Sequence, residues 1–169
     1  SMAMDPAALS THIPSLRRYA RALTGDPQRA DDLVQDTLER ALRKGSLWRA
    51  GSDLRAWLFT LMHNLRVNDL RADKGITFPG DEALPEIPSP PTQQDRLALR
   101  DLDRALARLP VEQREVLLLV GLEDLSYGEA AKVLGVPIGT IMSRLSRGRE
   151  RLRALLEGGP AAESLRVVK

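Results

Sequence analysis

The sequence predicts an all-α protein of two small helical domains joined by a flexible linker, the second domain a helix-turn-helix. Three observations carry this. Aromatic residues make up only 4% of the 169 residues while Leu, Ala and Arg dominate and strand-like alternation is scarce, so helix packing must bury the 43% hydrophobic content. Residues 76–95 hold five of the eleven prolines and four acids, with no base and no periodicity, which is linker composition. The rest is punctuated by helix caps and stops, dividing the chain into a bundle at 7–75, the linker at 76–95 and a second domain at 96–158.

In the first domain, Leu9, Ile13, Leu16, Ala20 and Leu23 fall at helical spacing and Gly25 supplies a stop. Asp26 before Pro27 reads as an N-cap followed by a first-turn proline. It opens a helix whose Ala30, Leu33, Val34, Leu38, Ala41 and Leu42 form one apolar stripe ending at Gly45. A third helix is expected from about Asp53 to about Asp73, with Leu54, Trp57, Leu58, Leu61 and Leu65 inward. Three helices with short turns make a bundle.

The second domain reads as a helix over about 95–108, a break at Leu109-Pro110, and a helix over about 111–122 containing the apolar run Val116 to Val120. Ser126 and Glu129 form a capping box that opens a short helix, Tyr127 to Leu134. Gly135 turns the chain, and Pro137 starts a longer helix to about Glu157 whose apolar face is Ile138, Ile141, Leu145, Leu152 and Leu155. A short capped helix, a glycine turn and a longer basic helix make a helix-turn-helix.

Charge gains meaning only when divided. The net +2 comprises +3 in 1–75, −4 in 76–95 and +3 in 96–169. Within 136–156, Arg144, Arg147, Arg149, Arg151 and Arg153 face Glu150 alone, so basic charge sits on the helix that would enter a major groove. Thr140, Arg144, Arg147 and Arg151 recur at i, i+4, i+7 and i+11 opposite the apolar face, with Ser143 beside them. Arginine pairs with guanine edges in bidentate fashion or clamps phosphates, and Thr140 with the free N–H groups near Pro137 suits a phosphate. The competing reading is a solvated arginine face.

Two further stripes stand out. Asp32, Gln35, Asp36 and Glu39 line the polar side of the helix after Pro27, either as a solvated face favoured by the helix dipole or as a docking surface for a basic partner helix. Asn64, Asn68 and Arg71 recur at i, i+4 and i+7 on the third helix. Paired asparagines are poor helix formers and read base edges well. Trp48, Trp57, Phe59 and His63 lie close by in sequence and could stack on bases, although Trp57 reads equally as core and His63 as a satisfied histidine.

Other classes fall away. There is no cysteine and there are only two histidines, His12 and His63, so disulfides, thiolate chemistry and a zinc site have no material. No nucleophile elbow, phosphate loop or metal cluster suggests an enzyme, and no cofactor is expected. No stretch approaches the roughly 20 apolar residues of a membrane span, and the N-terminus lacks signal-peptide character. A cytoplasmic location without membrane insertion is expected.

The runs ADDLVQDTLERAL (30–42), LRAWLFTLMHNLRVNDLR (54–71) and LPVEQREVLLLVGLEDLSYGEAAKVLGVPIGTIMSRLSRGRERLR (109–153) resemble bacterial RNA polymerase sigma factors of the extracytoplasmic-function type. The first two are also similar to general-stress members. The resemblance implies a non-catalytic protein that binds core RNA polymerase and directs it to promoter DNA for transcription initiation. It implies that Asp32, Gln35 and Asp36 grip the β′ coiled coil, and that Trp57, Asn64, Asn68 and Arg71 engage the minus-ten element as single strand. Thr140, Met142, Ser143, Arg144 and Arg147 would read the minus-thirty-five element, while apolar residues around Val116 to Val120 help hold the domain together and against the β flap. The acidic linker would keep the two readers apart, and an anti-sigma factor would hold the free protein. Met142 stands where many members carry Arg or Lys, and Gly148 where alanine is commoner. The alternative is a freestanding helix-turn-helix regulator that binds duplex DNA without polymerase. It is disfavoured because nothing outside the basic helix supplies a dimer seam.

Overall fold

The computed structural model describes residues 4–48, 51–72 and 93–158, and these are helix and turn with no strand among them. Most of the expected linker lies outside the described residues, and its last three positions already belong to a helix.

The first apolar stripe is two helices, not one: α1, Pro6–Ser10, and α2, Ile13–Thr24. Asp5 caps α1 by accepting from the Ala7 N–H at 3.0 Å. Pro14 sets the break. Inside a continuous helix its ring would meet the carbonyl of Ser10 and its missing N–H would leave that carbonyl unpaired, whereas near the start of α2 it costs nothing. At the far end Gly25 adopts φ 69° and its N–H donates to the Arg21 carbonyl. The third helix, α3, Pro27–Arg43, begins as expected with Asp26 accepting from the Gln28 N–H at 3.0 Å. A single 3₁₀ turn follows at Gly45–Leu47, where a Cβ on Gly45 would stand 2.6 Å from the Met4 Cβ. Glycine there lets the buried Met4 close over the turn. Next come α4, Leu54–Ala72, and α5, Gln93–Ala107.

The segment expected as one helix over 111–122 changes character midway. α6, Val111–Val116, continues as a π-helical stretch, Leu117–Leu122. Its wider turns close through the Glu123 N–H to the Leu118 carbonyl and the Leu125 N–H to the Leu119 carbonyl, both at 2.9 Å. Leu118 and Leu119 thereby face the core while Leu122 is turned outward. Asp124 then takes φ 60°, a left-handed conformation that Asp tolerates better than most residues. α7, Tyr127–Leu134, and α8, Ile138–Gly158, complete the fold.

The two domains do not stand apart. α2 packs on α5, α6 and the π stretch, and α4 packs on α7. One apolar cluster runs through both, from Leu16, Tyr19, Leu58 and Met62 to Val116, Leu119, Ile141 and Leu145. Each fully buried side chain of this size contributes about 1.5–3 kcal/mol. Tyr19 and Phe59 meet edge to face at 5.0 Å and 70°. Val116, Leu118 and Leu119 belong to this core and hold the domain together, while Leu117 and Val120 keep part of their surface.

Candidate nucleic-acid interface

The polar stripe of α3 follows from its buried side. Ala30, Leu33, Val34, Thr37 and Ala41 face inward, and Thr37 returns its hydroxyl proton to the Leu33 carbonyl at 2.7 Å. A helix with that side buried must present Asp32, Gln35, Asp36 and Glu39 outward, and all four are exposed. Asp31 approaches Arg17 and Arg21 of α2 at 3.9 and 4.0 Å, exposed contacts worth about 0–1 kcal/mol each. Among the described residues Asp32, Asp36 and Glu39 make no ion pair. The structure thus brings Asp32, Gln35 and Asp36 onto one open acidic surface.

Asp53 starts α4 by accepting from the Ala56 N–H at 3.1 Å. The helix then divides its residues among three faces. Leu58, Leu61 and Leu65 face the bundle core. Arg55, Phe59, Met62 and Arg66, at i, i+4, i+7 and i+11, form a second stripe, toward the C-terminal domain. Trp57, Asn64, Asn68 and Arg71, at i, i+7, i+11 and i+14, share the third. Trp57 is half-buried and packs on the core, while Asn64 and Asn68 are exposed. The Arg71 side chain lies outside the described residues, so its place on this face rests on helical register alone. His63 is a satisfied histidine, with Nδ1 2.6 Å from Glu115 Oε2 of the other domain. Trp48 is half-buried against the core with its indole N–H buried and unpartnered, an environment unlike that of a stacking platform.

The helix-turn-helix is built as its residues dictate. Ser126 Oγ accepts from the Glu129 N–H at 3.1 Å and Glu129 Oε1 accepts from the Ser126 N–H at 2.8 Å, closing the capping box. Gly135 turns at φ 67°, and the Thr140 N–H donates to the Pro137 carbonyl as α8 begins. Ile141, Leu145 and Gly148 are buried, which leaves Met142, Ser143 and Arg147 exposed with Thr140 and Arg144 half-buried beside them. Met142 is 53% exposed, an unusual solvation for a thioether that contributes nothing to the core. A Cβ at Gly148 would come within 3.1 Å of Leu117 Cδ1 and 3.3 Å of Gln113 Cβ, so glycine there permits the close approach of α8 to α6.

The arginines of α8 are not equivalent. Arg153 is engaged by Glu150 at 2.6 Å and by Glu157 one turn further on. Those carboxylates raise its pKa, and they occupy the guanidinium that a phosphate would need. Among the described residues Arg144, Arg147, Arg149 and Arg151 make no ion pair, so the available positive charge runs along the middle of α8, from Arg144 to Arg151. No group of three or more potential metal ligands occurs among the described residues, and no described helix is long and apolar enough to cross a membrane.

Sequence reasoning missed a second charged constellation, between the domains. Arg18 gives Nε and Nη2 to Glu123 at 2.9 and 2.8 Å, with Arg55 Nη1 at 3.5 Å. Arg66 Nη2 donates to Glu115 Oε1 at 2.8 Å. Arg114 donates to four backbone carbonyls, of Leu23 and Leu106 at 2.7 Å, Leu109 at 2.8 Å and Ala107 at 3.0 Å. The available signal was an arginine on the apolar side of α4 and an Arg-Glu pair heading an apolar run.

Comparison with known proteins agrees with the two-domain division. Residues 9–63 match the Sigma2 domain of PhyR, and residues 99–152 match Sigma-70, region 4. The extracytoplasmic-function (ECF) RNA polymerase sigma factor EcfG of Rhodopseudomonas palustris is 43% identical over 145 residues, covering 85% of this chain and 80% of that protein. ECF sigma factor SigM of Mycobacterium tuberculosis is 34% identical over 146 residues, covering 86% and 73%. Among solved structures, the sigma factor RpoE of Bartonella quintana, in complex with the anti-sigma factor NepR, superposes with a TM-score of 0.71 at 36% identity, covering 91% of this chain and 97% of that one.

Proposed function

Since the chain belongs to the extracytoplasmic-function sigma factors of bacterial RNA polymerase, we propose that it divides its work among three surfaces. It is a polymerase-binding, promoter-directing factor, not a freestanding regulator. Asp32, Gln35 and Asp36 on α3 dock on the β′ coiled coil. Trp57, Asn64, Asn68 and Arg71 on α4 engage the minus-ten element as single strand, the asparagines reading an extruded base and Arg71 its backbone. Thr140, Met142, Ser143, Arg144 and Arg147 on α8 read the minus-thirty-five element in the major groove, with the Met142 thioether against a thymine methyl where a cation is missing.

The observation that supports this reading is the segregation of charge. Asp32, Asp36 and Glu39 on α3 and Arg144, Arg147 and Arg151 on α8 stand on separate helices and lack ion-pair partners among the described residues. A chain that used them only for stability would pair them with each other.

The chain itself carries out no catalysis and acts in the cytoplasm. Two similar solved structures are complexes, the sigma factor RpoE with the anti-sigma factor NepR and CnrH with the cytosolic domain of CnrY. A partner of that class holds this protein when it is not on polymerase.

Run-off transcription with purified core enzyme over a promoter library tests the reading. Promoter selectivity is expected only when core enzyme and this chain are combined. Asp32→Ala with Asp36→Ala is expected to weaken core binding and leave duplex affinity of the free chain unchanged, and Arg144→Ala to do the reverse. Tight, specific duplex binding without polymerase, with no selectivity gained by core enzyme, would overturn it.

A further inference from the structure

α8 carries an apolar residue that its own core does not use. The helical spacing places Ile138 at the head of the buried face, yet 51% of its surface is exposed and it takes no part in the core. Met142, one turn further on, is as open to solvent and is likewise outside the core. The two stand about 6 Å apart along the helix axis, side by side on one flank. Thr140, Arg144 and Arg147 occupy the other flank, with Gly139 and Ser143 between. The first turns of α8 thus present a face that is apolar along one edge and cationic along the other.

Gly139 adds an independent observation. It lies within α8, where glycine is the least favourable residue after proline, and a Cβ built there would meet nothing within 4 Å. Gly148 is crowded by α6, but nothing inside the chain asks for glycine at 139. A missing side chain at the centre of an exposed face lets the backbone come close to a ligand.

The chemistry of a base-pair edge decides what fits such a face. Donors and acceptors in the major groove are read by hydrogen-bonding groups, which the apolar edge lacks. The apolar group displayed there is the thymine methyl. Neighbouring base pairs are stacked about 3.4 Å apart, so two flexible side chains rooted about 6 Å apart reach the methyls of adjacent pairs. The cationic edge meanwhile meets phosphates or guanine.

We propose that Ile138 and Met142 together read two thymine methyls on neighbouring base pairs of the minus-thirty-five element, and that Gly139 lets α8 approach closely enough for both. Ile138 is thereby a specificity-determining residue in its own right, and promoters with adjacent T·A pairs in that element are the preferred class. The inference rests on α8 being the minus-thirty-five reader.

Deoxyuridine provides the test, since it differs from thymidine only by the methyl group. Holoenzyme assembled from core polymerase and the full-length chain is bound to a promoter obtained from the run-off library, with each thymine of the minus-thirty-five element replaced in turn. Two neighbouring positions are expected to lose affinity about fourfold each, the worth of one buried methyl, and the others to lose none. Ile138→Ala is expected to abolish the response at one of the two positions and Met142→Ala at the other, in variants that stay folded because both residues lie outside the core. Gly139→Ala is expected to melt at a higher temperature, and to bind the unmodified promoter about as weakly as the parent binds the one lacking both methyls. An element without adjacent T·A pairs, deoxyuridine without effect at both positions, or a methyl response that survives in Ile138→Ala overturns the proposal. So does weaker binding of Ile138→Ala to core enzyme without DNA, which would give the patch to a protein partner. Promoter-specific transcription that ignores every deoxyuridine removes only the methyl readers, and its absence on unmodified promoters removes the sigma reading itself.

Discussion

Arg114 donates from Nη1 to the carbonyl oxygen of Leu23 at 2.7 Å, across 91 residues of sequence. The same guanidinium holds the carbonyls of Leu106, Ala107 and Leu109 at the end of α5. One buried cation therefore serves the C-terminal ends of a helix in each domain, where the helix dipole favours positive charge. Burial lowers its pKa from the usual arginine value, yet these acceptors keep it charged.

Arg114→Met keeps the apolar stem and takes the guanidinium donors away from four carbonyls. Loss of about 3–5 kcal/mol is expected, measured as a lower urea midpoint, and Arg114→Lys should recover only part of it because an ammonium cannot span four acceptors in a plane.

Tyr19 gives a pH signature. Burial first, and then the nearby Glu115 carboxylate, hold its phenol well above the ordinary value, so the folded chain retains a proton that the unfolded chain releases. Stability is then complete below pH about 10 and falls as pH rises past it, by up to about 1.4 kcal/mol per pH unit. Tyr19→Phe keeps the ring against Phe59 and removes the titration. Urea midpoints compared at about pH 8 and pH 10.5 should converge in the variant and diverge in the parent.

Gly148 sets a contest between helix propensity and space. Alanine gains about 1 kcal/mol in an isolated helix. Here its Cβ would press on Gln113 Cβ at 3.3 Å, an atom that cannot rotate away, and on Leu117. Crowding of this kind costs about 1–3 kcal/mol, so Gly148→Ala is expected to destabilise by about 1 kcal/mol in a thermal melt.

Two arginines of α8 should behave oppositely. Arg144→Ala is expected to remove about 1–3 kcal/mol of discrimination at the minus-thirty-five element, read by holoenzyme binding to promoter variants. Arg153→Ala, already committed to Glu150 and Glu157, should leave that discrimination unchanged.

What was legible in the chain was what is decided locally. Asp26, Gly25, the Ser126 and Glu129 box and Gly135 each act within four residues of themselves, and each stands where its chemistry places it. The break at Thr11 was equally local and Pro14 signalled it, but the apolar spacing of Leu9, Ile13 and Leu16 continues across the break and hides it. The exposed stripes of α3, α4 and α8 follow from periodicity. Residue roles on those stripes came from resemblance, because exposure says that a side chain is available and not what it meets. The π stretch and the seam were beyond reach. Leu117 to Leu122 has the composition of an ordinary buried helix, and Glu123 finds Arg18 across 105 residues. How the two domains sit on one another was likewise beyond the sequence, and the packing of α2 and α4 against the C-terminal domain supplies it.

The shared core also has a history during synthesis. Tyr19, Phe59, Met62 and Arg66 are on helices made early, and their cover arrives with Glu115, 49 residues after Arg66. At about 5–20 residues per second the growing chain waits roughly 2 to 10 seconds for that cover. A ribosome paused between the domains thus carries a first domain whose interdomain face still awaits its cover.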